Sequence, residues 1–324
     1  MLFGIHRMSK YSVPWLLTLL VFPFAVGCVA AQGVSGQIAD DEWSPTVSEP
    51  AFPRGDGPLV LVDAAHGNFH TIDGRYSAFA ELLELDGYRV QSANAAVTAD
   101  LLEPAEVFVI SNALLGGDDA EWTLPAASAF TPDEIAVIVD WVRAGGALLL
   151  IADHMPFPGA TADLADAFGI VFLNGYAVRP AGRGGALSFT RASGSLADHA
   201  ITRGRSESEQ VDSVTSFTGQ AFRFVGEVSP LMYMPDDWVV LLPKTARERG
   251  KGTPLVSARG LVQGGVLRFG SGRVAVFGEA AMFTAQSYVR DGVVGQMGMN
   301  HPSASENPQF VLNVMHWLSG LLDD

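Results

Sequence analysis

Residues 131–154, TPDEIAVIVDWVRAGGALLLIADH, run through a helix, a turn and a strand and end on an acid–histidine pair. Thr131 is a natural N-cap, Pro132 suits the first helical position, and Glu134 completes a capping box. Gly145-Gly146 stops the helix, and ALLLI follows as an unbroken apolar strand. Such a strand, buried on both faces, belongs in a parallel sheet.

The same alternation extends outward in both directions. Upstream, LVLVDA (59–64) is a second apolar run, and EVFVIS (106–111) a third. Between them, YSAFAELLELDGYRV places Phe79, Leu82, Leu83 and Leu85 at helical spacing and stops at Gly87 before a strand near 88–92. Downstream, ATADLADAFGIVF adds a helix and a strand. Residues 175–260 are less regular, with short runs such as VDSVTSF and WVVLL, and read as an insertion or an antiparallel extension of the sheet. GGVLRFGSGRVAVFGEAAMF (264–283) predicts a hairpin turning at Gly270-Ser271-Gly272. NPQFVLNVMHWLSGLL (307–322) predicts a closing amphipathic helix. Strands and helices alternating with short connections predict an α/β sheet covered on both faces.

The chain has 324 residues, 48% hydrophobic and only 17% charged, with a formal charge of −15. No cluster of Lys and Arg is present to track phosphates, so nucleic acid is excluded as a partner. The first 28 residues have a weakly basic start and an apolar stretch from about Val13 to Val26. That stretch is too short for a comfortable membrane span, which takes ~20 residues, and fits a secretory signal. It ends in AVGC, where Cys28 is the single cysteine of the chain. Small residues before a lone cysteine resemble a bacterial lipoprotein box, with Ala25 where Leu is usual, so that Cys28 would be acylated. Ordinary cleavage near VAAQG is the alternative. Either reading exports the protein to the periplasm or cell envelope, and the first ties it to a membrane through a lipid anchor only. Residues 29–58, rich in Gly, Pro, Ser and acid, read as a disordered tether, and 59–322 as the folded domain.

In open α/β sheets ligands bind beyond the carboxyl ends of the strands. The strand at 59–63 leads into Asp63, His66, Asn68 and His70. VFVIS leads into Ser111 and Asn112, LLLI into Asp153 and His154, and VAVFG into Glu279. Ionisable groups thus converge on one edge. Asp, His and Glu around one point are usual ligands of zinc and similar divalent ions. On that reading His66, His70 and His154 hold a metal, Asp63, Asn68 and Asn112 bind substrate, and Asp153 and Glu279 are catalytic, with Glu279 as base. The bland alternative is that these groups cap helices and brace loops, since buried polar groups pair in any case. No HExxH spacing and no GxSxG elbow is present. Ser193, Ser195, Asp198 and His199 match no nucleophile motif in order or spacing. Arg179 to Phe189 reads as a flexible Gly-rich loop, and His316 as a satisfied core histidine.

Four stretches together resemble a bacterial domain-of-unknown-function family in the class I glutamine-amidotransferase-like superfamily. They are DAAHGNFHTIDGRYSAFAELLELDGYRV, FTPDEIAVIVDWVRAGGALLLIADHMPFPGA, GRVAVFGEAAMF and NPQFVLNVMHWLSGLL. The resemblance implies a flavodoxin-like parallel sheet. It also implies that the turn Ile151-Ala152-Asp153-His154 stands where catalytic members present a cysteine nucleophile. No cysteine is there, so glutaminase chemistry does not carry over. Related cysteine-less domains serve as binding or scaffold modules. Two functions are therefore expected: a metal-assisted hydrolase, or a non-catalytic module binding a small molecule or an envelope component.

Overall fold

The computed structural model describes residues 35–117, 120–180, 185–290 and 292–323. The signal stretch and Cys28 lie outside the described residues, as does part of the Gly-rich loop, residues 181–184.

Five parallel strands form the centre. β1 (Leu59–Asp63), β2 (Arg89–Ala93), β3 (Val107–Ser111), β4 (Ala147–Ile151) and β5 (Gly272–Phe277) lie in the order 2-1-3-4-5. This is one of the two common orders of doubly wound sheets, and its connections reverse between β1 and β3. Successive side chains of a strand point to opposite faces. Val60, Val62, Val107, Val109, Leu149 and Ile151 accordingly enter one core. Leu59, Leu61, Phe108, Ile110, Leu148 and Leu150 enter the other.

Helices cover both cores. α1 (Ser77–Leu85) and α3 (Asn307–Leu318) bring Phe79, Leu82, Phe310 and Val314 to the first, and α2 (Pro132–Ala144) brings Ile138 and Val142 to the second. α2 begins with both halves of its capping box made. It ends at Gly145, whose φ of +128° suits a residue without a Cβ.

β5 arrives from a hairpin rather than over a helix. Val262–Phe269 turns at Gly270-Ser271 and pairs antiparallel with β5, while β5 pairs parallel with β4. Beyond it, Phe222–Phe224 and Ile170–Phe172 extend the sheet antiparallel, and Ser229–Tyr233 pairs with Val262–Phe269. The irregular region is therefore both things the sequence suggested. Part of it widens the sheet, and part forms separate ribbons: Tyr176–Val178 with Val239–Leu241 and Leu255–Ser257, and Leu187–Thr190 with Ser213–Ser216.

Two features depart from the sequence reading. A second hairpin, Ala285–Arg290 with Val293–Gly298, follows β5. The expected tether is corrected over residues 35–58, where Ser35–Ala39 pairs antiparallel with Ala285–Arg290. Trp43, Val47 and Phe52 explain why this segment is held: they pack against the first core. The backbone N–H of Ala51 also donates to buried Asp86 at 2.8 Å, whose other oxygen accepts from His316 Nε2 at 2.7 Å. His316 is the buried core histidine the sequence suggested, but only half satisfied: Nε2 pairs with Asp86, and Nδ1 has no hydrogen-bond partner among the described residues.

Candidate functional site

Asp63 closes β1, Asn112 follows β3, Asp153 stands two residues beyond β4, and Glu279 two beyond β5. These strands are parallel neighbours, so their carboxyl ends make one rim, at the reversal of the connections. The rim carries two hydrogen-bonded networks.

The first centres on His66. Its Nδ1 lies 2.8 and 2.9 Å from the two oxygens of Asp63, and its Nε2 lies 2.9 Å from Glu134 Oε1. Carboxylates that are ionised only accept, so two of them facing the two ring nitrogens favour the imidazolium form. Burial alone would lower the pKa of His66, but the two carboxylates outweigh it and the net shift is upward. Burial would likewise raise that of Glu134, yet the Thr131 backbone N–H and His66 bring it down to about 2. The imidazole stacks on Phe130 at 4.2 Å between centroids. Asn68 braces the loop, accepting from the His66 backbone N–H at 3.2 Å and donating to the Ser111 carbonyl at 3.4 Å.

The second network runs from β3 to β5. Asn112 has φ +53°, a left-handed conformation uncommon outside glycine, which Asn tolerates better than most residues. There its side chain donates to His70 Nδ1 at 3.2 Å and accepts the Asp153 backbone N–H at 2.8 Å. His70 must then be neutral, and burial, with Arg75 nearby, lowers its pKa to about 3. Asp153 and Glu279 are buried together under the exposed residue Thr218. Thr218 Oγ1 lies 3.1 Å from both oxygens of Asp153 and 3.4 Å from Glu279 Oε1. One hydroxyl proton cannot serve two ionised carboxylates at once, which favours the protonated form of Glu279. Burial first, and the charge of Asp153 second, push Glu279 up to about 8, against the N–H groups of Met282 and Ala281. Tyr76 closes the floor, accepting from Ser111 Oγ at 2.9 Å and donating to the Ala280 carbonyl.

The His154 ring stands apart from both networks, although the residue's backbone N–H donates to Asp153 Oδ1 at 2.6 Å. Its Nδ1 donates to the Met155 carbonyl at 2.8 Å, and the ring stacks on Tyr176 at 4.6 Å. Nε2 has no hydrogen-bond partner among the described residues. Trp122 joins the His154 ring to Phe69, its centroid 6.1 Å from the first and 6.2 Å from the second.

The expected zinc or other divalent-metal centre is not assembled. Among the described residues no three His, Cys, Asp or Glu side chains form a group able to hold a metal ion. His66 has spent both nitrogens on carboxylates, His70 receives Asn112, and His154 faces an aromatic wall. Ser193 and Ser195 bond each other and Thr190, while Asp198 pairs with Arg191 and Arg203, so no triad forms there. Glu134, Thr218 and Tyr76 were not foreseen as site residues. Glu134 alone left a signal, because its capping task occupies Oε2 and frees Oε1 for His66.

No family model matches the chain, and no curated protein sequence matches it. Among solved structures, it resembles the mmIFT52 N-terminal domain with a TM-score of 0.55 at 15% identity, covering 81% of this chain and 97% of that one. A protein of Bacteroides uniformis described as ThuA-like gives 0.45 at 11% identity, over 85% and 94% of the two chains. A Thermoplasma acidophilum protein described as part of a GMP synthase gives 0.39 at 11%, over 82% and 95%. The first likeness shows a shared α/β fold.

Proposed function

We propose that this protein is a non-catalytic binding module of the cell envelope, exported and lipid-anchored through Cys28, on a flavodoxin-like, glutamine-amidotransferase-like frame without its nucleophile. Its ligand is a small polar molecule or glycan fragment, held at the rim above Asp153. The observation that carries this reading is the closure of the polar network. His66 has no free nitrogen and Glu279 no exposed surface, so neither can touch a substrate. What the rim offers a ligand is the Thr218 hydroxyl, the unpartnered Nε2 of His154 and the half-buried face of Trp122. An aromatic face with a few placed polar groups is the usual make-up of a small-molecule site.

One observation favours hydrolysis as a second reading. A carboxyl that keeps its proton near neutrality beside an acidic partner is the arrangement of acid–base pairs. Thermal unfolding against a panel of envelope oligosaccharides, with mass analysis of the recovered ligand, separates the two. A ligand that stabilises the wild type, is recovered intact and loses its effect in His154→Ala supports the binding module. A ligand cleaved by the wild type but not by Asp153→Asn overturns it in favour of a hydrolase.

A further inference from the structure

The three-stranded sheet made by Ser35–Ala39, Ala285–Arg290 and Val293–Gly298 carries apolar side chains in the open. Ile38, Val289, Val293 and Val294 are 62, 43, 67 and 70% exposed. Val289 pairs directly with Val294, and Ile38 pairs with Ser287, two residues along from Val289. Directly opposed residues and every second residue share a face, so Ile38, Val289 and Val294 lie on one side of the sheet. Both outer strands of this sheet are edges, and exposed apolar edges are surfaces that proteins normally cover.

The chain itself says what covers it. Seven residue steps separate Cys28 from Ser35, the first residue of the sheet, a reach of at most about 25 Å. We infer that the face bearing Ile38, Val289 and Val294 lies against the bilayer to which Cys28 is anchored, resting in the outer part of the lipid. This rests on the anchored reading above. The contact is hydrophobic rather than electrostatic: a chain of net charge −15, with Asp41 and Glu42 exposed beside the strand, gains nothing from anionic headgroups. The acyl chains supply attachment, and the apolar face sets orientation. Arg75 joins this sheet to the candidate site, donating to the Gln37 carbonyl at 3.2 Å and to the Phe69 carbonyl at 3.1 Å. The rim is thereby fixed relative to the membrane-facing sheet.

The test uses the full chain purified in detergent and reconstituted in phosphatidylcholine vesicles with or without brominated acyl chains. Three samples are treated with a thiol-reactive fluorophore: the wild type, Val294→Cys, and Asp140→Cys on the exposed surface of α2. An acylated Cys28 leaves the wild type unlabelled. The expected result is an unlabelled wild type, a Val294→Cys label quenched about twofold by brominated lipid, and an Asp140→Cys label unaffected. An unlabelled wild type with neither label quenched keeps the anchor and overturns the membrane-facing surface. A labelled wild type overturns both. A Val294→Cys label shielded without vesicles, increasingly with protein concentration, assigns the face to a second copy and overturns the proposal.

Discussion

Both ring nitrogens of His66 face carboxylates, so removing the ring strands Asp63 in the interior without a countercharge. Breaking one partner of a buried pair costs about 3–5 kcal/mol. His66→Ala is expected to lower the unfolding free energy by about that amount in urea titrations. A ring that served only as a metal ligand would leave stability in chelator unchanged. The raised pKa of His66 also fixes a direction with pH. Its contribution is complete below the ordinary imidazole value of 6.5 and is lost as pH rises through the higher folded value. Glu279 acts in the same sense. Its folded carboxyl holds a proton up to about 8, whereas the unfolded one releases it near 4.5. Stability therefore falls between those values, by up to about 1.4 kcal/mol per pH unit from this group. Glu279→Gln keeps an acceptor for the Ala281 N–H and removes the titration. Unfolding free energies at pH 5 and pH 8.5 should differ less in the variant than in the wild type.

At the scale of elements, the loop 217–220 sets Thr218 over the carboxyls, and Gly219 makes that possible. Its φ is +108°, and a Cβ there would meet the Gly278 carbonyl oxygen at 2.3 Å. Gly219→Ala should displace the loop, lower the melting temperature and extend the loss of stability to higher pH, because the Thr218 hydrogen bond that holds the Glu279 pKa down is gone. The elements that sequence reveals are those with local chemistry. α2 announced its start through Thr131, Pro132 and Glu134, and β1, β3 and β4 their burial through unbroken apolar runs. The strand Phe222–Phe224 is only three residues, too short for any period to register, whereas the equally short Ile170–Phe172 could be read from the helix that leads into it. The strand Ser35–Ala39 was hidden because its partner lies some 250 residues away and its own composition is that of a loop. The site follows the same division. Asp63, Asn112, Asp153 and Glu279 could be read because each follows a visible strand, whereas Thr218 sits in a region without pattern. The metal expectation failed because ligand chemistry was visible in sequence but the partners of His66 were not.

Across the described residues, the N-terminal segment and the closing helix meet at one buried acid. Asp86, at the end of α1, accepts from Ala51 near the N-terminus of the described chain and from His316 in the closing helix. Asp86→Ala should cost about 3 kcal/mol or more and open residues 50–58 to proteolysis before the sheet itself unfolds. That behaviour would mark the N-terminal segment as part of the fold rather than a tether. The central claim is that strand ends far apart in sequence bring Asp153 and Glu279 together at one rim, where burial and the nearby Asp153 keep Glu279 protonated beneath Thr218. The most direct test is a carboxyl carbon NMR titration of Glu279 in the wild type and in Asp153→Asn. The account predicts a Glu279 midpoint well above the ordinary carboxylate range, falling toward it when Asp153 is neutralised. A Glu279 already ionised at pH 6, with a midpoint indifferent to Asp153→Asn, would contradict it.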